Sequence, residues 1–248
     1  MPWLHAVVDV PADQHGAAGS FWQQALGWPL GEPWYGHPEL ASFQPPDGTP
    51  YVHLQRIDGP ARVHVDVETD DRDAGTERAV ALGAQFVAEH DRWTAFVSPG
   101  GLPFCLVGPV EHAAPQPLTW PGSAHRSRLV QVCVDSPPPV HDAEVAFWRA
   151  LLPGRWADSS APEFAGKWHD DGSPLQLLFQ RTEDADGPTR AHLDLGTDDL
   201  PAEISRLRGL GAADVGPGRG WHVLRDPIGS LFCATENSPA TTRTREIG

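Results

Sequence analysis

Residues 61–71 read ARVHVDVETDD, and residues 189–199 read TRAHLDLGTDD. Arg62, His64, Asp66, Thr69, Asp70 and Asp71 meet Arg190, His192, Asp194, Thr197, Asp198 and Asp199 at a constant offset of 128. The register holds at Leu82-Gly83-Ala84 against Leu210-Gly211-Ala212, at Trp93 against Trp221, and at Phe104-Cys105 against Phe232-Cys233. Upstream the offset is 126: Asp9 answers Asp135, and Phe21-Trp22 answers Phe147-Trp148. Asp47-Gly48-Thr49-Pro50 answers Asp171-Gly172-Ser173-Pro174, and Gln55-Arg56 answers Gln180-Arg181. Self-similarity of this length is the mark of a duplicated structural unit. The chain therefore divides into a domain at 1–110, a proline-rich linker at 111–127, a second domain at 128–237 and a polar tail at 238–248, expected to fray.

Each copy divides again. Residues 4–10 alternate and are rich in β-branched side chains, which predicts a strand. Ala17, Phe21 and Leu26 fall at helical spacing within 12–26, and Gly27 ends that helix. Short strands follow near 40–44 and 51–56, around an Asp-Gly turn at 47–48. The pattern then restarts with a strand at 62–68, a helix near 72–82 and strands near 85–88, 93–97 and 103–107. A β-α-β-β-β module is thus predicted twice per copy and four times in the chain. The pairs Asp70-Asp71 and Asp198-Asp199 precede helices and are read as caps.

The composition narrows the function. The chain has 248 residues and a net charge of −15, which argues against a nucleic-acid backbone or an anionic membrane as partner. No apolar run approaches the ~18 residues of a membrane span, and the first residues, MPWLHAVVDVPAD, lack the form of a signal peptide. Three irregularly spaced cysteines, Cys105, Cys133 and Cys233, form no disulfide framework, so a reducing cytoplasm is the expected location. Phosphate-cradling glycine loops, a Gly-x-Ser-x-Gly elbow and Cys-x-x-Cys pairs are all missing from the sequence.

Three signatures carry a family resemblance. The first is the opening strand His5-Ala6-Val7-Val8-Asp9-Val10-Pro11 leading to Phe21-Trp22 and Leu26-Gly27. The second is the x-His-x-Asp-x strand followed by Asp-Asp. The third is Asp226-Pro227-Ile228-Gly229-Ser230 before the last strand, weakened in the first copy to Ser98-Pro99-Gly100-Gly101-Leu102. Over about 3–108 and 128–236 the chain resembles the vicinal oxygen chelate superfamily, which includes glyoxalases, bleomycin-resistance proteins and extradiol dioxygenases. The resemblance implies an α+β fold of two tandem domains. In each, two β-α-β-β-β modules form a half-open mixed β-barrel with helices outside, around a cavity for a small-molecule ligand. It also implies that the two lobes pair as a pseudo-dimer, whether the chain stays monomeric or forms a homodimer.

The resemblance further implies a metal site and the positions to inspect. Active members hold a divalent metal with His or Gln on the first strand, His on the fifth and Glu on the last. Here those positions are His5, His64 and Cys105 in the first copy, and Gln131, His192 and Cys233 in the second. Two roles fit the cysteines: a soft ligand for zinc, or a small apolar wall residue. The cofactor that the resemblance implies is one divalent ion of zinc, iron, manganese or nickel, and the alternative is no metal. His64 and His192 repeat, which suits a ligand or a hydrogen bond common to both copies. His53, whose counterpart is Leu178, does not repeat and is the acid–base candidate. Trp34, Tyr35, Trp156 and Trp168 lie in loop-rich stretches and are expected either to line a cavity or to clamp its rim. Gln55, Gln131 and His192 complete the expected substrate-binding set. Two functions follow: a metal-dependent isomerase, lyase or dioxygenase acting on an oxygen-rich substrate, or a metal-free protein that sequesters an antibiotic or aromatic metabolite.

Overall fold

The computed structural model describes residues 3–159, 161–169 and 172–240; most of the tail expected to fray lies outside the described residues. The first copy contains β1 (Leu4–Pro11), α1 (His15–Leu26), β2 (Leu30–Trp34), β3 (His37–Phe43), β4 (Val52–Ile57), β5 (Arg62–Glu68), α2 (Arg72–Ala81), β6 (Gln85–Glu89), β7 (Trp93–Val97) and β8 (Pro103–Val107). They form one eight-stranded sheet in the order β2-β3-β4-β1-β5-β8-β7-β6. The linker contributes β9 (Leu118–Thr119). The second copy repeats the plan with β10 (Arg126–Ser136), α3 (Pro138–Leu151), β11 (Arg155–Ala157), β12 (Phe164–His169), β13 (Gln176–Arg181), β14 (Arg190–Thr197), α4 (Leu200–Gly209), β15 (Ala213–Pro217), β16 (Trp221–Arg225) and β17 (Leu231–Thr235). Its sheet runs β11-β12-β13-β10-β14-β17-β16-β15, with β9 added on β10. The two modules of each copy therefore join through the antiparallel pairs β1–β5 and β10–β14.

Alternation along these strands sorts the side chains onto two faces. One face of each sheet carries the core, including Leu4, Ala6, Val8 and Val10 on β1. The other carries His5, Val7 and Asp9 and curves around a cavity. The first helix of each copy packs on the sheet of the other. Phe21 and Trp22 of α1 stack edge-on against Phe232 of β17, and Phe147 and Trp148 of α3 meet Phe104 of β8. Burying four large aromatic side chains in this way makes the lobe interface part of the core. Asp71 and Asp199 do cap α2 and α4, each accepting from the backbone N–H three residues on.

Candidate functional site

The cavity of the first lobe has a volume of about 950 Å³, that of the second about 470 Å³. Strand register fixes which side chains share the cavity wall. Ser42, His53, Val7 and His64 form one row across β3, β4, β1 and β5. His5, Asp66, Cys105 and Ala95 form the next, across β1, β5, β8 and β7. The matching rows in the second lobe are Lys167, Leu178, Cys133 and His192, then Gln131, Asp194, Cys233 and Val223.

One strip is common to both lobes. His64 Nδ1 lies 2.9 Å from Asp9 Oδ2, which also accepts from Arg62 Nε at 2.8 Å. His64 Nε2 lies 3.2 Å from Asp66 Oδ1, yet that oxygen is buried and has no aligned hydrogen bond among the described residues. His64, Asp66 and Cys105 each offer a donor atom within 4.8 Å of the others. In the second lobe His192 sits 2.7 Å from Asp135 and 3.3 Å from Asp194, with Cys233 Sγ 3.6 Å from its Nε2. Burial opposes a charge on His64, but the Asp9 and Asp66 carboxylates outweigh it and raise the ring well above its ordinary pKa. The Cys105 thiol is pushed up to about 11 by burial and by Asp66.

The rest of the first cavity has no counterpart in the second. His5 turns away from the strip: its Nε2 lies 3.0 Å from Glu68 and its Nδ1 3.0 Å from His53 Nε2. His53 Nδ1 lies 2.9 Å from Ser42 Oγ, which also accepts from Trp34 Nε1 at 2.9 Å. His112, from the linker, reaches the other Glu68 oxygen at 2.6 Å. An ionised carboxylate can only accept, so His5 Nε2–H donates to Glu68. With both rings assigned as neutral tautomers, His53 Nε2–H then donates to His5 Nδ1 and the Ser42 hydroxyl to His53 Nδ1, while Ser42 Oγ accepts from the Trp34 indole. Burial, reinforced by the nearby His5, lowers His53 to about 3 and keeps its ring neutral. Although burial works the other way, hydrogen bonds from His5 and His112 hold the Glu68 carboxyl below its ordinary pKa.

The structure thus brings His5, His53, His64, Cys105, Trp34 and Gln55 to one cavity, and Gln131 and His192 to the other. It separates His5 from the His64–Asp66–Cys105 cluster. Tyr35 is 92% exposed at the turn after β2, and Trp168 is fully buried on the core face of β12; neither lines a cavity. Three members of the site were not singled out from the sequence, Ser42, Glu68 and His112, and Asp66 was read only as part of the repeated x-His-x-Asp-x strand. The family resemblance implies a carboxylate on the last strand, whereas here Asp66 supplies one from β5, in register with Cys105. A polar residue alternating in phase with His64 was the available signal.

The model of the glyoxalase-like domain matches residues 5–107 and again 131–235. No curated protein sequence matches the chain. Among solved structures, the Mn(II)-bound glyoxalase from Novosphingobium aromaticivorans superposes with a TM-score of 0.67 at 18% identity, covering 97% of this chain and 84% of that one. An extradiol ring-cleaving dioxygenase from B. fuscum gives 0.63 at 15% identity, over 98% and 73% of the two chains. A mutant of 4-hydroxymandelate synthase from Streptomyces coelicolor gives 0.61 at 15%, over 98% and 94%. At these identities the structures share the fold, and the two family matches cover most of the sequence. The chain belongs to the glyoxalase-like domain family of the vicinal oxygen chelate superfamily, and carries its domain twice.

Proposed function

We propose that the first lobe is an enzyme site for a small, oxygen-rich molecule, assisted by a divalent metal. The observation that carries this reading is the convergence of His64 Nε2, the unbonded Asp66 Oδ1 and Cys105 on one wall of the larger cavity. An imidazole, a carboxylate and a thiol suit zinc or iron, and the Asp9 bond to Nδ1 presents Nε2 as the ligand nitrogen. A bound divalent ion supplies Lewis-acid polarisation of ligand oxygens. The run beside it handles protons. A proton delivered to Ser42 Oγ passes to His53, then His5, then Glu68, each group handing on the one it holds. Proton transfer of this kind favours isomerase or lyase chemistry over oxygenation. Trp34, Trp93 and Phe96 line the cavity and give its wall apolar surface. No described helix is long and apolar enough to cross a membrane. The three free buried cysteines suit a reducing cytoplasm.

Elemental analysis of protein purified without chelator or affinity tag tests the proposal. About one zinc, iron, manganese or nickel ion per chain is expected, lost in His64→Ala and kept in His192→Ala. In the second lobe Asp194 is already engaged by the Gln131 amide, which makes it the poorer site. No metal, and none taken up on dialysis against divalent ions, would refute the metal site. One feature favours a second reading, metal-free capture of an aromatic ligand. His64 is held between two carboxylates, an arrangement satisfied as an imidazolium and repeated at His192. Ligand-induced quenching of tryptophan fluorescence that a chelator leaves unchanged would support it.

A further inference from the structure

The second cavity contains a group that the first lacks. Of eighteen lysines and arginines, Lys167 is the one lysine. It stands on β12 where the first lobe has Ser42, in the cavity-facing row with Leu178, Cys133 and His192. Its residue surface is 7% exposed, it lines the cavity, and among the described residues no hydrogen bond or ion pair holds its ammonium. Burying an unpaired ammonium is costly, and the cost falls when the amine is neutral. Burial indeed lowers Lys167 to about 8, against an opposing pull from Asp194. Where a fixed positive charge suffices, this chain uses arginine, whose guanidinium never deprotonates. A lysine at this one buried position offers what arginine cannot, a nucleophilic nitrogen. Around it, Phe164 and Trp221 meet edge-on with ring centroids 5.9 Å apart, and form an apolar wall with Leu178 and Val223. Gln131 Oε1 and Asp194 Oδ1 are buried there without hydrogen bonds, the latter 3.3 Å from His192 Nε2.

We infer that the second cavity is a separate site in which Lys167 condenses reversibly with the carbonyl group of a small aldehyde or ketone. Nζ attacks the carbonyl carbon and forms the C–N bond. The carbonyl oxygen then leaves as water with the two amine hydrogens, and a C=N bond remains; water reverses the step. No oxidant or reductant takes part. The site is independent of the metal reading, which concerns the other lobe.

The single lysine makes the test clean. The full chain is incubated at pH 7 with benzaldehyde, whose flat ring suits the Phe164–Trp221 wall, and the imine is trapped with cyanoborohydride. Intact mass and peptide mapping then locate the adduct. The expected result is one benzyl group on Lys167, formed at least tenfold faster than on free Nα-acetyl-lysine under the same conditions. Lys167→Arg keeps the charge and is expected to lose that adduct, leaving the slower label on the N-terminal amine. Label confined to the N-terminus, or label on Lys167 no faster than on Nα-acetyl-lysine, would overturn the inference. Both outcomes are read on the wild-type chain, so the test stands even if the variant folds poorly.

Discussion

His53 and Leu178 occupy equivalent positions in the two lobes, and only the first belongs to a hydrogen-bonded run. With its pKa lowered to about 3, His53 keeps a neutral ring where most histidines titrate. Histidine ¹⁵N NMR is therefore expected to show its Nε2–H form unchanged between about pH 5 and 8; a signal titrating in that range would break the proposed relay. The linkage has a sign. The folded pKa lies below the unfolded value of 6.5, so the unfolded chain binds the extra proton first. His53's contribution to stability is present above about 6.5 and is lost as the pH falls toward 3. His53→Leu is expected to remove that part of the pH dependence and to lower turnover on any substrate found by about 100-fold or more. The asymmetry at position 53 was legible in the sequence because the repeat supplied its own control. The other members of the run were not, since Ser42, Glu68 and His112 come from two other strands and the linker. Only register and packing bring them together. Asp66 was hidden for a similar reason: its role depends on facing Cys105 across β5 and β8.

At the scale of elements, the α3 contact corrects a weakness that the sequence exposed. The second copy has Asp226 in the turn before β17; it accepts from Ile228 and Ser230 N–H and from Trp22 Nε1 of α1. The first copy has Ser98 at that position, so its sequence lacks the aspartate of the motif. Its carboxylate instead comes from the helix. Glu144 accepts from Ser98 Oγ at 2.7 Å, Gly100 N–H at 2.8 Å and Trp148 Nε1 at 2.8 Å. The position equivalent to Glu144 in α1 is Ala18, so each lobe interface carries one carboxylate in nearly the same place, supplied from opposite sides. Gly100 is required there, because a Cβ would sit 2.6 Å from Glu144 Oε2 and 2.5 Å from Thr189 Oγ1. Glu144→Ala leaves three buried donors unsatisfied, Ser98 Oγ–H, Gly100 N–H and Trp148 Nε1–H, and is expected to cost about 2–5 kcal/mol in urea unfolding. Adding Ser98→Asp should recover more than half of that loss. No recovery would mean that the two carboxylates are not interchangeable. The modules themselves were legible from period and turn residues, but an exchange between helix and turn is visible only once the helix is known to cross to the other sheet.

At the scale of the molecule, the linker closes the two lobes into one unit. Glu203 of α4 is fully buried and holds His125 of the linker at 2.7 Å and Arg206 at 2.7 and 2.8 Å. Arg206 donates to the carbonyls of Gln24 and Ala25 at the end of α1, and its guanidinium lies 3.6 Å from the centroid of the Trp120 ring. Linker, second lobe and first helix thus share one charged node. Together with the crossed α1 and α3 contacts, this node predicts a single cooperative thermal transition for the chain, read by calorimetry; two separated transitions would show that the lobes fold independently. Burial alone would raise the Glu203 pKa, but Arg206 and His125 hold it below 4.5. Its contribution to stability is therefore complete above about 4.5 and is lost as the pH falls through the lower folded value. Glu203→Gln removes one charge from a buried pair and leaves Arg206 uncompensated, a change worth about 3–5 kcal/mol at pH 7. The gap between wild type and variant should narrow as the pH drops below the Glu203 folded pKa, because both chains then lack the carboxylate. A gap that stays constant with pH would assign the cost to packing around Glu203 and not to its charge.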